Sequence, residues 1–293
     1  MHSYLRAIGF SKYNNTEEIN EILKYVMEQK EQQDIAEYDN GFVLAEIRKS
    51  FGMDFGICIC GEYNKKNVFE KSYYYPYFNG GRLTTEDHPT VEKHAEKESY
   101  AGVCDDYKVG VSLIFYLQNV AEYKNELRLG RHRNHLKGVT LSGLSIQGCI
   151  LLPINKNDKQ KKDTQEAVQY RNKLIAAARQ GDEDAIESLT LEDIDTYTMV
   201  SRRVMQEDVL SIVESYFMPY GVECDQYSVL GEILDYRLEK NQYTDESIYV
   251  LTINCNEMIF DVCINTIDLL GEPEIGRRFK GDIWIQGKIR YES

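Results

Sequence analysis

Gly130-Arg131-His132-Arg133, Lys137-Gly138 and Ile146-Gln147-Gly148 punctuate residues 128–150, and Gly276-Arg277-Arg278, Lys280-Gly281 and Ile285-Gln286-Gly287 punctuate residues 271–289. Each run is a small basic loop that leads into a Gly-bounded stretch of alternating apolar residues, the period of a strand. Upstream, Ile114-Phe115 with Asn119 stands opposite Ile259-Phe260 with Asn265. The intervals between the matched residues are unequal, so the pattern suggests a duplicated unit without demonstrating one.

Working outward, period-two alternation predicts strands over 42–47, 55–61, 68–77, 109–119 and 139–152, and again over 229–238, 248–254, 258–264 and 283–291. A helix precedes the first set. Thr16 is its predicted cap, Glu17, Glu18 and Glu21 lie at its favourable N-terminal end, and Ile19, Ile22, Leu23, Val26 and Met27 make one apolar stripe that should lie on a sheet. Helices also open the second set. Thr164 is expected to cap a segment carrying Val168, Leu174, Ile175 and Ala178 that Gly181 ends in the left-handed conformation. Thr190 with Asp193 resembles a capping box that restarts a helical face running to Phe217, with Met218-Pro219-Tyr220-Gly221 as its stop. The expected fold is therefore α+β with two similar units, residues 1–155 and 163–293, each with helices packed on a mainly antiparallel sheet. The Lys- and Asn-rich stretch 155–163, after Pro153, marks the boundary, and Trp284 should be buried between sheet and helices.

Bulk properties exclude several classes. The chain has 293 residues, long enough to bury a substantial core in one or two domains. Lys and Arg number 34 against 48 acidic residues, a formal net charge of −14, which repels duplex nucleic acid wherever basic groups do not cluster. The N-terminus lacks the basic and long apolar regions of a secretory signal, and no apolar run reaches spanning length, so no membrane association is expected. Seven cysteines, most in strand-like apolar runs, read as reduced core residues of a cytoplasmic protein.

Three stretches, His2-Ser3-Tyr4-Leu5-Arg6-Ala7-Ile8-Gly9-Phe10, Ser112-Leu113-Ile114-Phe115-Tyr116-Leu117-Gln118-Asn119 and Gly276-Arg277-Arg278-Phe279-Lys280-Gly281-Asp282-Ile283-Trp284, carry a resemblance that spans nearly the whole chain. It is to an uncharacterised family of bacterial proteins of about this length, the domain-of-unknown-function family DUF3881. That resemblance implies a cytosolic protein and carries over no activity, cofactor or catalytic residue.

The candidate chemistry starts with the basic loops. Arg131, Arg133 and Lys137, with Arg128, His132 and His135, form one cationic cluster, and Arg277, Arg278 and Lys280 form another. Guanidinium forks suit carboxylate or phosphate, and adjacent glycines permit close backbone approach, so each loop is a candidate anion site. The plainer alternative is a solvated turn or an internal partner for surplus carboxylates. Tyr73, Tyr75 and Tyr77, in Tyr73-Tyr74-Tyr75-Pro76-Tyr77-Phe78, are a candidate aromatic surface, against ordinary strand use of tyrosine. Cys58 and Cys60 share a strand face and read as core rather than ligands. No metal site is expected at His132 and His135, where flanking cations oppose one, or at His88 and His94. Gly143-Leu144-Ser145-Ile146-Gln147-Gly148 departs from a nucleophile elbow by one residue and by its continuing strand pattern. No catalytic residue and no cofactor is expected. The leading expectation is a non-catalytic binding or regulatory protein whose partner is an anionic small molecule or a protein. The alternative is a hydrolase with a site assembled from acidic residues and histidines around 86–98.

Overall fold

Asn15 starts the first helix. In the computed structural model its side chain accepts a hydrogen bond from Glu18 N at 2.8 Å, and Glu18 reaches back to Asn14 N at 3.2 Å. The cap of α1 (Thr16–Glu28) is thus one residue earlier than the expected Thr16, because the shorter-reaching hydroxyl is already inside the first turn. Asn15→Ala should lower stability by about 1 kcal/mol, read as a drop in the urea midpoint at unchanged slope. Ile19, Ile22, Leu23 and Val26 are buried as the stripe predicts. Ahead of α1, the 3-10 helix Ser3–Ile8 buries Tyr4, Leu5, Ala7 and Ile8 and ends at Gly9, whose φ of +91° suits glycine.

The structure describes residues 3–37, 43–93, 99–104, 112–154, 167, 170–171, 173–178, 180–204, 209–222 and 224–292, apart from the side chains at 133–134, 196–197 and 199–204. The expected boundary at 155–163 and the expected cap Thr164 lie outside the described residues. Four strands follow α1 as an antiparallel meander, β1 (Gln32–Glu37), β2 (Val43–Ser50), β3 (Phe55–Tyr63) and β4 (Phe69–Phe78). Next come β5 (Thr90–Lys93), β6 (Tyr100–Cys104), β7 (Leu113–Leu117), α2 (Val120–Arg128), α3 (His132–His135) and the long β8 (Leu136–Leu151). After helical residues 173–178, α4 (Glu183–Val204) and α5 (Val209–Ile212) lead to β9 (Tyr216–Pro219), β10 (Gln226–Lys240), β11 (Ser247–Cys255), β12 (Met258–Asn265), β13 (Leu269–Leu270) and β14 (Arg278–Tyr291).

The fold is α+β, with a four-stranded and a ten-stranded sheet. The ten-stranded sheet is mixed while most of its pairings are antiparallel: β8 runs parallel to β12 and β13, and β14 runs parallel to β7. Its pairings also close a ring. β8 bonds β12, β12 bonds β11, β11 bonds β10, β10 bonds β14, and β14 returns to β8 along almost its whole length. This is a five-stranded barrel whose lumen is filled by Leu141, Val229, Ile253, Phe260, Val262, Phe279, Ile283 and Ile285. Alternate residues of the same strands, among them Ile248, Val250, Cys263 and Trp284, point outward into a second core shared with α1, the 3-10 helix and β2 to β4. Trp284 is 5% exposed there, in ring contact with Tyr4, Tyr75 and Tyr116.

The two matched sequence segments turn out to be β8 and β14, hydrogen-bonded to each other within one barrel, and duplication of a unit is not confirmed. Their environments differ: Gln286 is buried and ties β4 to the barrel through Phe78 N and Pro76 O, while Gln147 is exposed. Residues 1–151 with 215–293 form one compact unit and 152–214 another. In the helical unit Gly181 has φ +87°, as expected, and Asp182 caps α4 by accepting from Asp184 N and Ala185 N. The expected restart at Thr190 does not occur. Its hydroxyl bonds back to Ile186 O at 2.8 Å inside an unbroken helix, because Asp193 sits where the helix is already propagating. Phe217, expected at the end of a helix, instead lies in β9. None of the described helices is long and apolar enough to cross a membrane.

Candidate functional site

Where β7 leaves the sheet, Asn119 takes over its hydrogen bonding. Its Oδ1 accepts from Ile289 N at 3.0 Å and its Nδ2 donates to Ile289 O at 2.8 Å and to Glu122 Oε2 at 2.7 Å. One amide side chain thereby satisfies both backbone groups of a β14 residue and sets the first turn of α2 beside Lys288. Asn125 fixes the other wall by donating to Ile35 O at 2.7 Å. Between these anchors lies a cleft of about 450 Å³ lined by β1 residues 32–35, Arg48 of β2, Asn119, Glu122, Asn125 and Glu126 along one face of α2, and Lys288 of β14. That size is in the range of small-ligand pockets.

Its charges range from the buried Arg48 to the exposed Glu122, and most are committed. Arg48 donates to Asp34 Oδ2 and Gln118 O, each at 2.6 Å, and lies 3.4 Å from Glu46 Oε2. Glu46, 1% exposed, also receives Val120 N and Ala121 N, so it neutralises the first turn of α2. Burial pushes its carboxyl above the usual glutamate range, against the pull of Arg48 and the two amides. Glu126 Oε1 pairs with Arg131 at 3.0 Å, leaving Oε2 buried without a hydrogen bond from any described group. Lys288 differs from the other charged groups. Burial holds its amine below the usual lysine value, with Glu122 opposing and Arg48 and Arg290 adding to the shift, and no carboxylate of a described residue lies within ion-pair distance of it.

The sequence-derived sites are placed as follows. Arg131 and the exposed Lys137 flank α3, whose His132 Nδ1 is 2.9 Å from the Tyr291 hydroxyl; the Arg133 side chain lies outside the described residues. Arg277 pairs with Glu274 at 2.7 Å, Arg278 is 7% exposed and Lys280 is half-buried, all at the opposite end of β14. The two tips lie at opposite ends of the β8–β14 pairing, which runs from Leu136 beside Tyr291 to Leu151 beside Arg278, so they do not meet on one ligand. The aromatic surface expected on Tyr73, Tyr75 and Tyr77 is corrected. Tyr75 is 2% exposed and Tyr77 is buried, with Tyr73 packed against the same core, because β4 faces the barrel rather than solvent. Cys58 and Cys60 are buried with sulfurs 3.8 Å apart, and burial raises the Cys60 thiol. Ser145 spends its hydroxyl on the carbonyls of Gln147 and Asp282. Of the acidic stretch, Glu86, His88 and Glu92 are exposed around β5, and residues 94–98 lie outside the described residues. No group of three or more His, Cys, Asp or Glu among the described residues is arranged to hold a metal.

The family model described as "Domain of unknown function, E. rectale Gene description (DUF3881)" matches residues 5–287. The chain belongs to this family. The match takes in β1 to β13, α2 and most of β14, stopping one residue before Lys288, so the barrel and three of the four cleft walls fall inside the DUF3881 region. No curated protein and no solved structure matches the chain. Sequence reasoning named Asn119 only as part of the internal likeness and Arg131 as an anion-site candidate, which pairs with the lining residue Glu126, and it missed Asp34, Arg48, Glu122 and Lys288. The signal for Lys288 was adjacent, since it follows Ile285-Gln286-Gly287 directly.

Proposed function

We propose that this DUF3881 protein is a non-catalytic binding protein that recognises an anionic group, and that the group seats in the cleft on Lys288. The ligand class is the one expected from the basic loops, and its seat is moved from their tips to the cleft. The single observation that carries the reading is an amine held in a polar cleft, on a body of net charge −14, with no carboxylate of a described residue pairing it. Lys288 is half-buried; a cation drawn part-way out of water without a countercharge costs free energy, and an anionic ligand offsets that cost. Arg131 and Arg277 support the move, since each guanidinium already has a carboxylate. Free thiols at all seven cysteines fit a reducing compartment, and we assign the protein to the cytoplasm on that basis.

Calorimetry with a panel of small carboxylates and phosphates tests the reading. At least one should bind, and Lys288→Met should weaken it by about ten- to hundredfold, the worth of a charge-assisted contact. Equal affinity in wild type and Lys288→Met, or loss of binding on neutralising Arg277 and Arg278 instead, overturns it.

A further inference from the structure

We infer that Lys288 is a covalent capture site for small carbonyl compounds that carry a carboxylate, forming an imine in the cleft. The inference rests on the proposed anion seat and adds the chemical class of its occupant. Three features of the cleft converge on it. Lys288 lines a space of about 450 Å³, enough for a compound of this size, and is not tied up by a carboxylate of a described residue. Glu122 lines the same space, and its charge acts on Lys288, while Asn119 holds one of its oxygens at 2.7 Å. The amides of Gln32, Gln33 and Asn125 complete the lining; each gives one N–H to Asp34, Tyr63 or Ile35 O and keeps a second for a carboxylate.

The chemistry balances without an oxidant or reductant. The free amine attacks the carbonyl carbon, a carbon–nitrogen bond forms, and a proton passes from the nitrogen to the carbonyl oxygen to give a carbinolamine. Protonation of that hydroxyl by a proton from solvent expels one water as the nitrogen lone pair forms the second bond, so that one amine, one carbonyl and one proton become one iminium and one water. The resulting iminium keeps a positive charge beside the ligand carboxylate, so condensation preserves the electrostatic contact. Burial supports the first step, because it leaves more of the Lys288 amine unprotonated near neutral pH than an exposed lysine has. Glu122 and Asp34 oppose that shift, and Arg48 and Arg290 reinforce it.

The test treats the full chain with glyoxylate and cyanoborohydride and maps adducts by peptide mass spectrometry. Glycolate, which binds as an anion and cannot condense, serves as competitor and as a separate calorimetric probe. Lys288 should be trapped on the order of tenfold faster than the exposed lysines, with glycolate protecting it. Lys288→Arg should lose the adduct, with a thermal melt confirming that it folds. Adducts spread evenly over the lysines, while glycolate still binds at Lys288, overturn the imine and leave the anion seat standing. Failure of glycolate to bind or protect, together with no preference for Lys288, overturns both. Should Lys288→Arg not fold, protection by glycolate in the wild-type chain decides the matter alone.

Discussion

Trimming Phe279 to alanine should cost the fold about 3–5 kcal/mol, and the same change should relieve the damage done by Gly148→Val. Phe279 is 0% exposed inside the barrel, and Gly148 of β8 stands opposite Gly281 of β14 in the seam that closes the ring. A Cβ placed on Gly148 would meet the Phe279 ring at 2.5 Å, and one on Gly281 would meet the same ring at 2.5 Å. The two glycines therefore exist to let an aromatic ring lie against the backbone of the seam, which no other side chain leaves room for. Gly148→Val alone should cost roughly 3 kcal/mol, the upper end of ordinary overpacking, because the ring is enclosed and has nowhere to turn. In the double variant the clash disappears and the valine fills part of the vacated space. Urea unfolding of the four proteins should give a coupling energy of about 1–3 kcal/mol in favour of the double variant. Strict additivity would mean that the ring and the seam do not share this space.

The second large effect is expected from Arg48→Met. It leaves the Glu46 carboxylate buried with two backbone amides and no countercharge, a change that costs about 3–5 kcal/mol when one member of a buried pair is removed. The pH dependence follows from the direction of the Glu46 shift. Its native pKa lies above its ordinary value because burial disfavours the ion, so the native state holds more protons than the unfolded state between those two pKa values. Stability therefore falls as pH rises through that window. Removing Arg48 takes away a favourable charge and pushes the native pKa higher still, which widens the window. The gap between wild type and Arg48→Met should thus be small near pH ~4, where Glu46 is protonated in both states, and largest near pH ~8. Adding Glu46→Gln to Arg48→Met should recover much of the loss at the higher pH and little at the lower. A gap that does not change with pH would show that Arg48 acts through packing and its bonds to Asp34 and Gln118 alone.

Local pattern made much of the molecule legible. The stripe Ile19, Ile22, Leu23 and Val26 identified α1, and alternation located β2, β3, β4, β7, β8, β10, β11, β12 and β14 to within a few residues, because burial on one face imposes its period on the chain. The strands that were missed are short or lie at edges. β1, β5 and β13 carry mostly exposed residues, so there is no buried face to leave a period. Phe217 was misread for a different reason: an apolar residue following a helical face continues the helix in sequence, while pairing of β9 with β10 decides otherwise.

What the amino-acid sequence determined by itself was the kind of element at each position, the acidic character of the body, and the likeness between the segments that became β8 and β14. It left open what that likeness meant. Two similar strands serve equally well as the ends of separate modules or as neighbours in one ring, and only the pairing of residues 138–151 with 278–290 decides for the ring. The cleft depends on the same step, since Asp34, Arg48, Glu122 and Lys288 come from four elements and acquire a common environment only when the four-stranded sheet and α2 close against β14. Periodicity records which face of an element is dry, a property of nearby residues. Strand partnership and the meeting of distant charges are non-local, and they are selected by how the whole set of faces can be buried at once.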